Sequence, residues 1–217
     1  VPKTMKFTIP EGYTVTQIAD KLSGEGYVDR DEFMKLVDDP SQFKQAREWK
    51  VPTGNGILHS LEGYLFPATY DLPLESTPSD VIANMLAGTR ANLATIDNFD
   101  EQLKARKMTL HQLLTEASLI EREVVVPEER AEVAGVINNR IKQGMRLQID
   151  ATVQYALGKQ KQRLLFSDLK IDSPYNTYMH DGLPPGPIAN PGIDAIKAAL
   201  TDVHLIRLFS LHSISNR

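Results

Sequence analysis

Residues 109–123, TLHQLLTEASLIERE, combine the pattern of an amphipathic helix with an acidic residue on its apolar side. Thr109 followed by Gln112 predicts a capping box at the start of this helix. Five apolar side chains then recur at helical spacing and, at about 100° per residue, cover an arc of roughly 120°. They are Leu110, Leu113, Leu114, Ala117 and Ile120. Glu121 projects inside this arc, roughly 45° from its centre.

Two other glutamates of the helix, Glu116 and Glu123, fall near the margins of the arc. A carboxyl group against apolar neighbours is desolvated, which raises its pKa and lets it hold a proton near neutral pH. Glu121 is therefore a candidate general acid. The alternative is a boundary glutamate that reaches solvent or pairs with Arg130 or Arg140.

The composition limits the classes of function that remain. A chain of 217 residues is enough for one large domain or two small ones. The net charge of −4 is spread over interspersed acids and bases, which argues against a basic surface for nucleic acid or anionic lipid. The sequence contains no apolar run that could cross a bilayer and no signal-peptide pattern. The absence of cysteine excludes disulfides, thiolate metal sites and cysteine nucleophiles.

Hydrophobic periodicity places several elements before and after the acid-bearing helix. Residues 5–9 alternate apolar and polar and predict a short strand that ends at the turn 10–12. Residues 15–22 have helical spacing, and residues 50–60 carry the glycines and prolines of a linker. Further helix starts are predicted at Asp29, Thr77 and Pro127.

Residues 172–192 hold five of the thirteen prolines of the chain. Because proline fixes φ and lowers the entropy lost on ordering, we predict a long ordered loop here. Such loops often carry binding residues, and the alternative is a structural crossover around the core. The predicted fold is α+β, with a helical core that carries the acid, a small mixed β region and this loop. The predicted division is an N-terminal α/β segment, 1–50, and a catalytic domain, 51–217.

Other catalytic motifs find little support. The five histidines lack paired metal-ligand spacing, and a P-loop, a dinucleotide fingerprint and a Gly-x-Ser-x-Gly elbow are all missing from the sequence. We therefore predict no metal and no cofactor. A cluster of acids can supply two carboxylates for glycoside hydrolysis. Its members are Glu116, Glu121, Glu123, Glu128, Glu129 and Asp150. Gln148, Asp150 and Tyr155 can hydrogen-bond to a sugar or stack on it.

Several longer motifs, in register along residues 5–200, resemble one known family. They are 7–12 (FTIPEG), 61–67 (LEGYLFP), 117–123 (ASLIERE), 137–140 (INNR), 144–150 (GMRLQID), 173–178 (SPYNTY), 182–188 (GLPPGPI) and 190–192 (NPG). Together they resemble the YceG-like endolytic murein transglycosylases, the MltG family. Ala151 stands where the family usually has proline, and Ala68 where aspartate is common. After Leu200 the family's C-terminal pattern is not recognisable, although residues 204–209 predict a strand.

The resemblance implies an enzyme that cleaves the β-1,4 bond between N-acetylmuramic acid and N-acetylglucosamine in nascent peptidoglycan and leaves a 1,6-anhydro end. The family's catalytic glutamate falls on Glu121, which would act as general acid and then as general base. Candidate substrate-binding residues are Glu123, Gln148, Asp150, Tyr175, Asn176, Thr177 and Tyr178. Two alternatives stay open: a muramidase-type hydrolase that pairs Glu121 with Glu123 or Asp150, and a non-catalytic glycan-binding or scaffold module.

The resemblance also implies partners and a location. The expected partners are peptidoglycan glycan strands and cell-wall synthases, with no nucleic acid. Family members typically carry one N-terminal transmembrane helix and a LysM-like domain before the catalytic region, and neither is recognisable in this sequence. We therefore expect this chain to be a soluble fragment of a single-pass protein of the inner or plasma membrane, whose catalytic domain is extracytoplasmic.

Overall fold

The computed structural model of the chain describes residues 3–201, in which helices predominate. Two strands, β1 (Thr4–Thr8) and β2 (Thr69–Pro73), pair antiparallel with Phe7 opposite Tyr70. The described residues form nine α-helices, α1 Val15–Gly24, α2 Arg30–Val37, α3 Lys44–Glu48, α4 Pro78–Leu93, α5 Phe99–Ala105, α6 Leu110–Glu123, α7 Arg130–Lys142, α8 Asp150–Leu157 and α9 Ile193–Leu200. Short 3-10 turns cover Pro40–Gln42, Pro127–Glu129 and Asp168–Lys170. The α+β class is confirmed, and the β region is an antiparallel pair of strands, not a mixed sheet.

Side-chain caps fix the helix starts that the sequence predicted at Asp29, Thr77 and Thr109. After the start predicted at Pro127, a 3-10 turn comes first and α7 begins at Arg130 without a side-chain cap. Reciprocal capping boxes begin α1, α4 and α6, at Thr14, Thr77 and Thr109. In α6, the backbone N–H of Gln112 donates to Thr109 Oγ1 at 3.1 Å. Asp29 caps α2 by accepting from the backbone of Glu32. These bonds satisfy N–H groups that have no partner within the helix.

One hydrophobic core extends through the described chain, from Met5 of β1 to Leu200 of α9. Helix α6 lies in its middle and packs against α7, α8 and α9. Its residues from 113 to 120 are consequently all buried, whether apolar or polar. The pairing of β1 with β2 crosses the predicted boundary at residue 50, and the division into two domains stays a prediction.

The proline-rich segment 172–192 is irregular and is held against the core by hydrogen bonds. The backbone N–H of Ile188 donates to Ser118 Oγ of α6 at 3.0 Å. The backbone N–H of Asn190 donates to the carbonyl of Tyr13 at 2.8 Å. These two bonds fix the last part of the loop between α6 and the N-terminal segment.

The strand predicted for residues 204–209 lies outside the described residues. Between residues 3 and 201, no helix has both the length and the apolar character needed to cross a membrane.

Candidate active site

Glu121 lies in the last turn of α6, half-buried, beside the end of the proline-rich loop. The backbone N–H of Gly192 donates to Glu121 Oε1 at 2.8 Å. On another side, Gly12 approaches so closely that a β-carbon on it would lie 3.5 Å from Glu121 Cγ. Three segments distant in sequence, around residues 12, 121 and 192, therefore meet at this carboxyl group. Two arginines were considered as partners of Glu121, and both contact other groups. Arg130 forms an ion pair with Asp194, and Arg140 donates a hydrogen bond to the carbonyl of Leu147.

The periodicity placed Glu121 inside the apolar arc and Glu116 and Glu123 near its margins, yet the structure buries the two marginal glutamates more deeply. Glu116 is 1% exposed and Glu123 is 9% exposed, whereas Glu121 is only half-buried. The reason is that α7, α8 and α9 surround α6, so burial is not confined to the arc of apolar residues. Amphipathic periodicity predicts one buried face and fails for a helix that is covered on several sides.

Glu11 is the second carboxylate at Glu121, and the sequence pattern did not indicate it. Its side chain occupies the space that a β-carbon on Gly192 would need. Burial raises the pKa of Glu11, the negative charge of Glu121 raises it further, and Arg130 lowers it. Gly192 thus has the Glu11 carboxylate on one side and donates its N–H to Glu121 on the other. Glu11 reaches Glu121 because it lies in the turn that follows β1. Turn residues have no hydrophobic periodicity from which this position could be predicted.

Three of the predicted substrate-binding residues form a cluster at the start of α8. The buried Glu123 accepts a hydrogen bond from the backbone of Ala151 and lies near Asp150. Burial, and then the charge of Asp150, raise the pKa of Glu123 to about 7. The hydroxyl of Tyr178 donates to Asp150 in a short hydrogen bond. Glu123 can therefore hold or exchange a proton near neutral pH.

The predicted residues Tyr175, Asn176 and Thr177 are fully buried. Asn176 Nδ2 donates to the carbonyls of Leu169 and Ile171, both at 2.9 Å. Because their polar groups are used inside the protein, these residues support the loop and are not placed to contact a glycan.

Thr177 contacts the start of α8 through its hydroxyl group. Its hydroxyl oxygen Oγ1 accepts from the backbone of Ile149 at 2.9 Å. Gln148 is exposed, and its backbone N–H donates to the carbonyl of Thr177 at 3.1 Å.

A cavity of about 390 Å³ is lined in part by Arg122, which follows Glu121 in the sequence, whereas Glu121 itself does not line it. Leu58, Tyr155 and Ile188 provide apolar surfaces, and Gln17 is one of its amide groups. A mixture of ring faces, amides and a guanidinium group suits a sugar with amide substituents. Sequence reasoning had indicated Tyr155 as a stacking residue, and its ring lines this cavity.

Behind the cavity lies Glu62, a fully buried glutamate that sequence reasoning missed. Burial raises the pKa of Glu62 to about 8, against opposing hydrogen bonds from Val15 and Asn190. The motif 61–67 pointed to the segment, but nothing in its spacing distinguished a buried acid from an exposed one.

The arrangement provides carboxyl groups that differ in burial and therefore in their readiness to give up a proton. Proton donation and acceptance need no metal, and in the described part of the chain no group of three or more His, Asp or Glu side chains could hold one. The site is thus equipped for general acid–base chemistry.

Comparisons with known proteins agree with the resemblance in sequence. The model of the YceG-like family matches residues 2–209. A Bacillus subtilis (strain 168) protein named endolytic murein transglycosylase is 41% identical over 202 residues, covering 90% of this chain and 55% of that protein. A Streptococcus pneumoniae serotype 2 protein of the same name is 35% identical over 232 aligned positions, covering 99% of this chain and 41% of that protein.

The fold has a solved counterpart as well. The crystal structure of a yceG-like protein from Listeria monocytogenes aligns with a TM-score of 0.84 at 38% identity, covering 94% of this chain and 69% of that one. The chain spans only about half the length of the curated relatives it matches. Since the family model covers nearly all of its residues, the chain belongs to the YceG-like family.

Proposed function

We propose that this chain is the catalytic part of an endolytic peptidoglycan lytic transglycosylase, a carbon–oxygen lyase that leaves 1,6-anhydro-N-acetylmuramic acid ends. The observation that carries the proposal is the position of Glu121. Its carboxyl group accepts a hydrogen bond from the Gly192 N–H and lies against Gly12, at the point where three segments distant in sequence meet. Membership of the YceG-like family, and relatives named endolytic murein transglycosylases, support the same reaction.

Glu121 serves both steps of this reaction. In its protonated form it donates to the glycosidic oxygen as the bond from C1 of N-acetylmuramic acid breaks. The resulting carboxylate takes the proton of the C6 hydroxyl of the same sugar, and the C6 oxygen attacks C1. Attack within one molecule gains from high effective molarity and consumes no water. Because Oε1 accepts from Gly192, we assign the proton transfer to Oε2.

Several predicted residues are assigned to the binding of the glycan. Gln148 and the pair Asp150–Tyr178 form the part of the site that approaches the sugar from α8. Glu123 lies beside Asp150, and Tyr175, Asn176 and Thr177 position the loop. The substrates are the glycan strands of peptidoglycan. Cell-wall synthases as partners, and an inner- or plasma-membrane location with the domain on the extracytoplasmic side, complete the proposal.

One observation favours a second candidate, a muramidase-type hydrolase. Ordinary glycosidases need two carboxyl groups, of which one acts on water or on the sugar. Glu11, and not Glu123 or Asp150, is the carboxylate that shares Gly192 with Glu121. Hydrolysis would leave reducing ends in place of anhydro ends.

Mass spectrometry of digested glycan strands tests both candidates. The lytic reaction gives products with 1,6-anhydro ends, and hydrolysis gives products heavier by one water.

The variant Glu121→Gln is expected to lose cleavage by about 10²–10⁴-fold, because the amide cannot transfer the proton. The matched control is Glu128→Gln, which changes an exposed glutamate in the turn before α7 and leaves cleavage unchanged. Full activity in Glu121→Gln would overturn the assignment.

A further inference from the structure

We propose that Glu62 is a positioning residue, a buried carboxyl group that locks the loop carrying Gly192 onto the N-terminal segment carrying Glu11 and so sets the surroundings of Glu121. The inference rests on the proposed function for its consequence in catalysis, but its structural part can be tested without substrate.

Glu62 connects two segments that are distant in sequence. Its Oε2 accepts from the backbone N–H of Val15, the first residue of α1, at 2.8 Å. The same oxygen accepts from Nδ2 of Asn190 at 2.9 Å. One buried oxygen thus joins the start of α1 to the end of the proline-rich loop.

Asn190 extends this connection in both directions. Its Oδ1 accepts from the backbone N–H groups of Gly63 and Leu65, at 2.8 and 3.0 Å. Its Nδ2 also donates to the carbonyl of Tyr13 at 2.9 Å. The side-chain amide of Asn190 therefore accepts two hydrogen bonds through its oxygen and donates two through its nitrogen. Its orientation is fixed by Glu62 and the 61–67 segment together.

The connection reaches Glu121 by two short routes. Along the loop, Gly192 is two residues after Asn190 and donates its N–H to Glu121 Oε1. Across the loop, the backbone N–H of Gly12 donates to the carbonyl of Asn190 at 2.9 Å, and Gly12 faces Glu121 Cγ. A shift of Asn190 would consequently displace both contacts of Glu121.

The protonation state of Glu62 is expected to alter this connection. Its other oxygen, Oε1, is buried and faces the hydroxyl of Tyr155, although within residues 3–201 neither atom makes a hydrogen bond of good geometry. The other titratable groups around Glu62 are Arg122 on α6 and Tyr175 in the loop. Since burial raises the pKa of Glu62 to about 8, the neutral acid is the form present at pH 7. Ionisation would place a buried charge next to Asn190.

The test follows the amide signals of Gly192 and of the Asn190 side chain by NMR during a pH titration of the whole chain. In the parent protein both signals are expected to shift with a midpoint near pH 8. In Glu62→Gln, which keeps the shape and the acceptor of the neutral acid, that transition disappears. The matched control Glu116→Gln removes another buried glutamate of raised pKa, which lies near Arg106, and retains the transition.

Activity supplies the second measurement. Glu62→Gln is expected to keep kcat at pH 7 within about twofold, whereas Glu62→Leu, which lacks any acceptor, lowers kcat at least tenfold with little change in KM. An unaltered transition in Glu62→Gln, or full kcat in Glu62→Leu, would overturn the proposal. If Glu62→Leu does not fold, the titration of Glu62→Gln still tests the proposal. A parent protein that cleaves no glycan would contradict the proposed function and leave the titration as the test of the lock.

Discussion

At the scale of single residues, two carboxylates meet at one glycine. Gly192 can donate to Glu121 while Glu11 packs against it only because it has no side chain. Burial, and then the charge of Glu121, raise the pKa of Glu11.

This pairing predicts that Glu121→Gln changes the titration of Glu11. Removal of the neighbouring charge should lower the pKa of Glu11 toward its ordinary value, and burial should keep it above that value. Carbon-13 NMR of the Glu11 carboxyl group measures the change. Glu123→Gln is the control, since Glu123 interacts with Asp150 and should leave Glu11 as it is. An identical Glu11 titration in parent and Glu121→Gln would contradict the pairing.

At the scale of elements, the end of the proline-rich loop is held between α6 and the N-terminal segment. Ser118 fixes Ile188 from α6, and Asn190 is fixed by Glu62 and the backbone of Gly63. Gly63 has φ of +92°, and a β-carbon on it would overlap the ring of Pro187. The segment 61–67 therefore forms the base on which the loop rests.

Gly63→Ala is expected to destabilise this base. The methyl group would be strained at positive φ and would push Pro187 away, which should cost about 1–3 kcal/mol of unfolding free energy and lower kcat. Gly54→Ala separates backbone strain from the contact with Pro187. Gly54 also has positive φ, +72°, but has open space around it. Urea unfolding and glycan cleavage measure both variants. Equal losses of kcat in the two would show that the contact with Pro187 is unimportant.

At the scale of the whole molecule, the core contains acidic groups that prefer to be neutral. Glu62, Glu116 and Glu123 are all buried, and burial raises the pKa of Glu116 and Glu123 to about 7. A raised pKa in the folded state means that the folded protein binds protons which the unfolded chain has released. Each such group stabilises the fold fully below pH 4.5, and that contribution is lost as pH rises to its folded pKa.

The variant Glu116→Gln tests how much one buried glutamate contributes to this pH dependence of stability. Between pH 4.5 and pH 8, the unfolding free energy of the parent should fall relative to that of Glu116→Gln by about 3 kcal/mol, because only the parent must ionise a buried group. Urea denaturation of both proteins at several pH values gives the difference. Parallel curves across this range would show that Arg106 already compensates the charge of Glu116.

Much of this protein is determined by local sequence. Thr14, Thr77 and Thr109 mark the starts of three helices because a capping hydroxyl acts within three residues. The apolar spacing of α6, the α+β class and the family also follow from the sequence, since periodicity and motifs are local properties. Glu121 was identified in this way.

Only the tertiary structure decided which acids are buried and which ones meet. Glu11 reaches Glu121, and Glu62 reaches Asn190, across more than a hundred residues of chain. Burial of Glu116 and Glu123 depends on α7, α8 and α9 closing around α6. The pKa of an acid depends on the solvent and charges around it, and those neighbours are supplied by distant segments that no local pattern specifies.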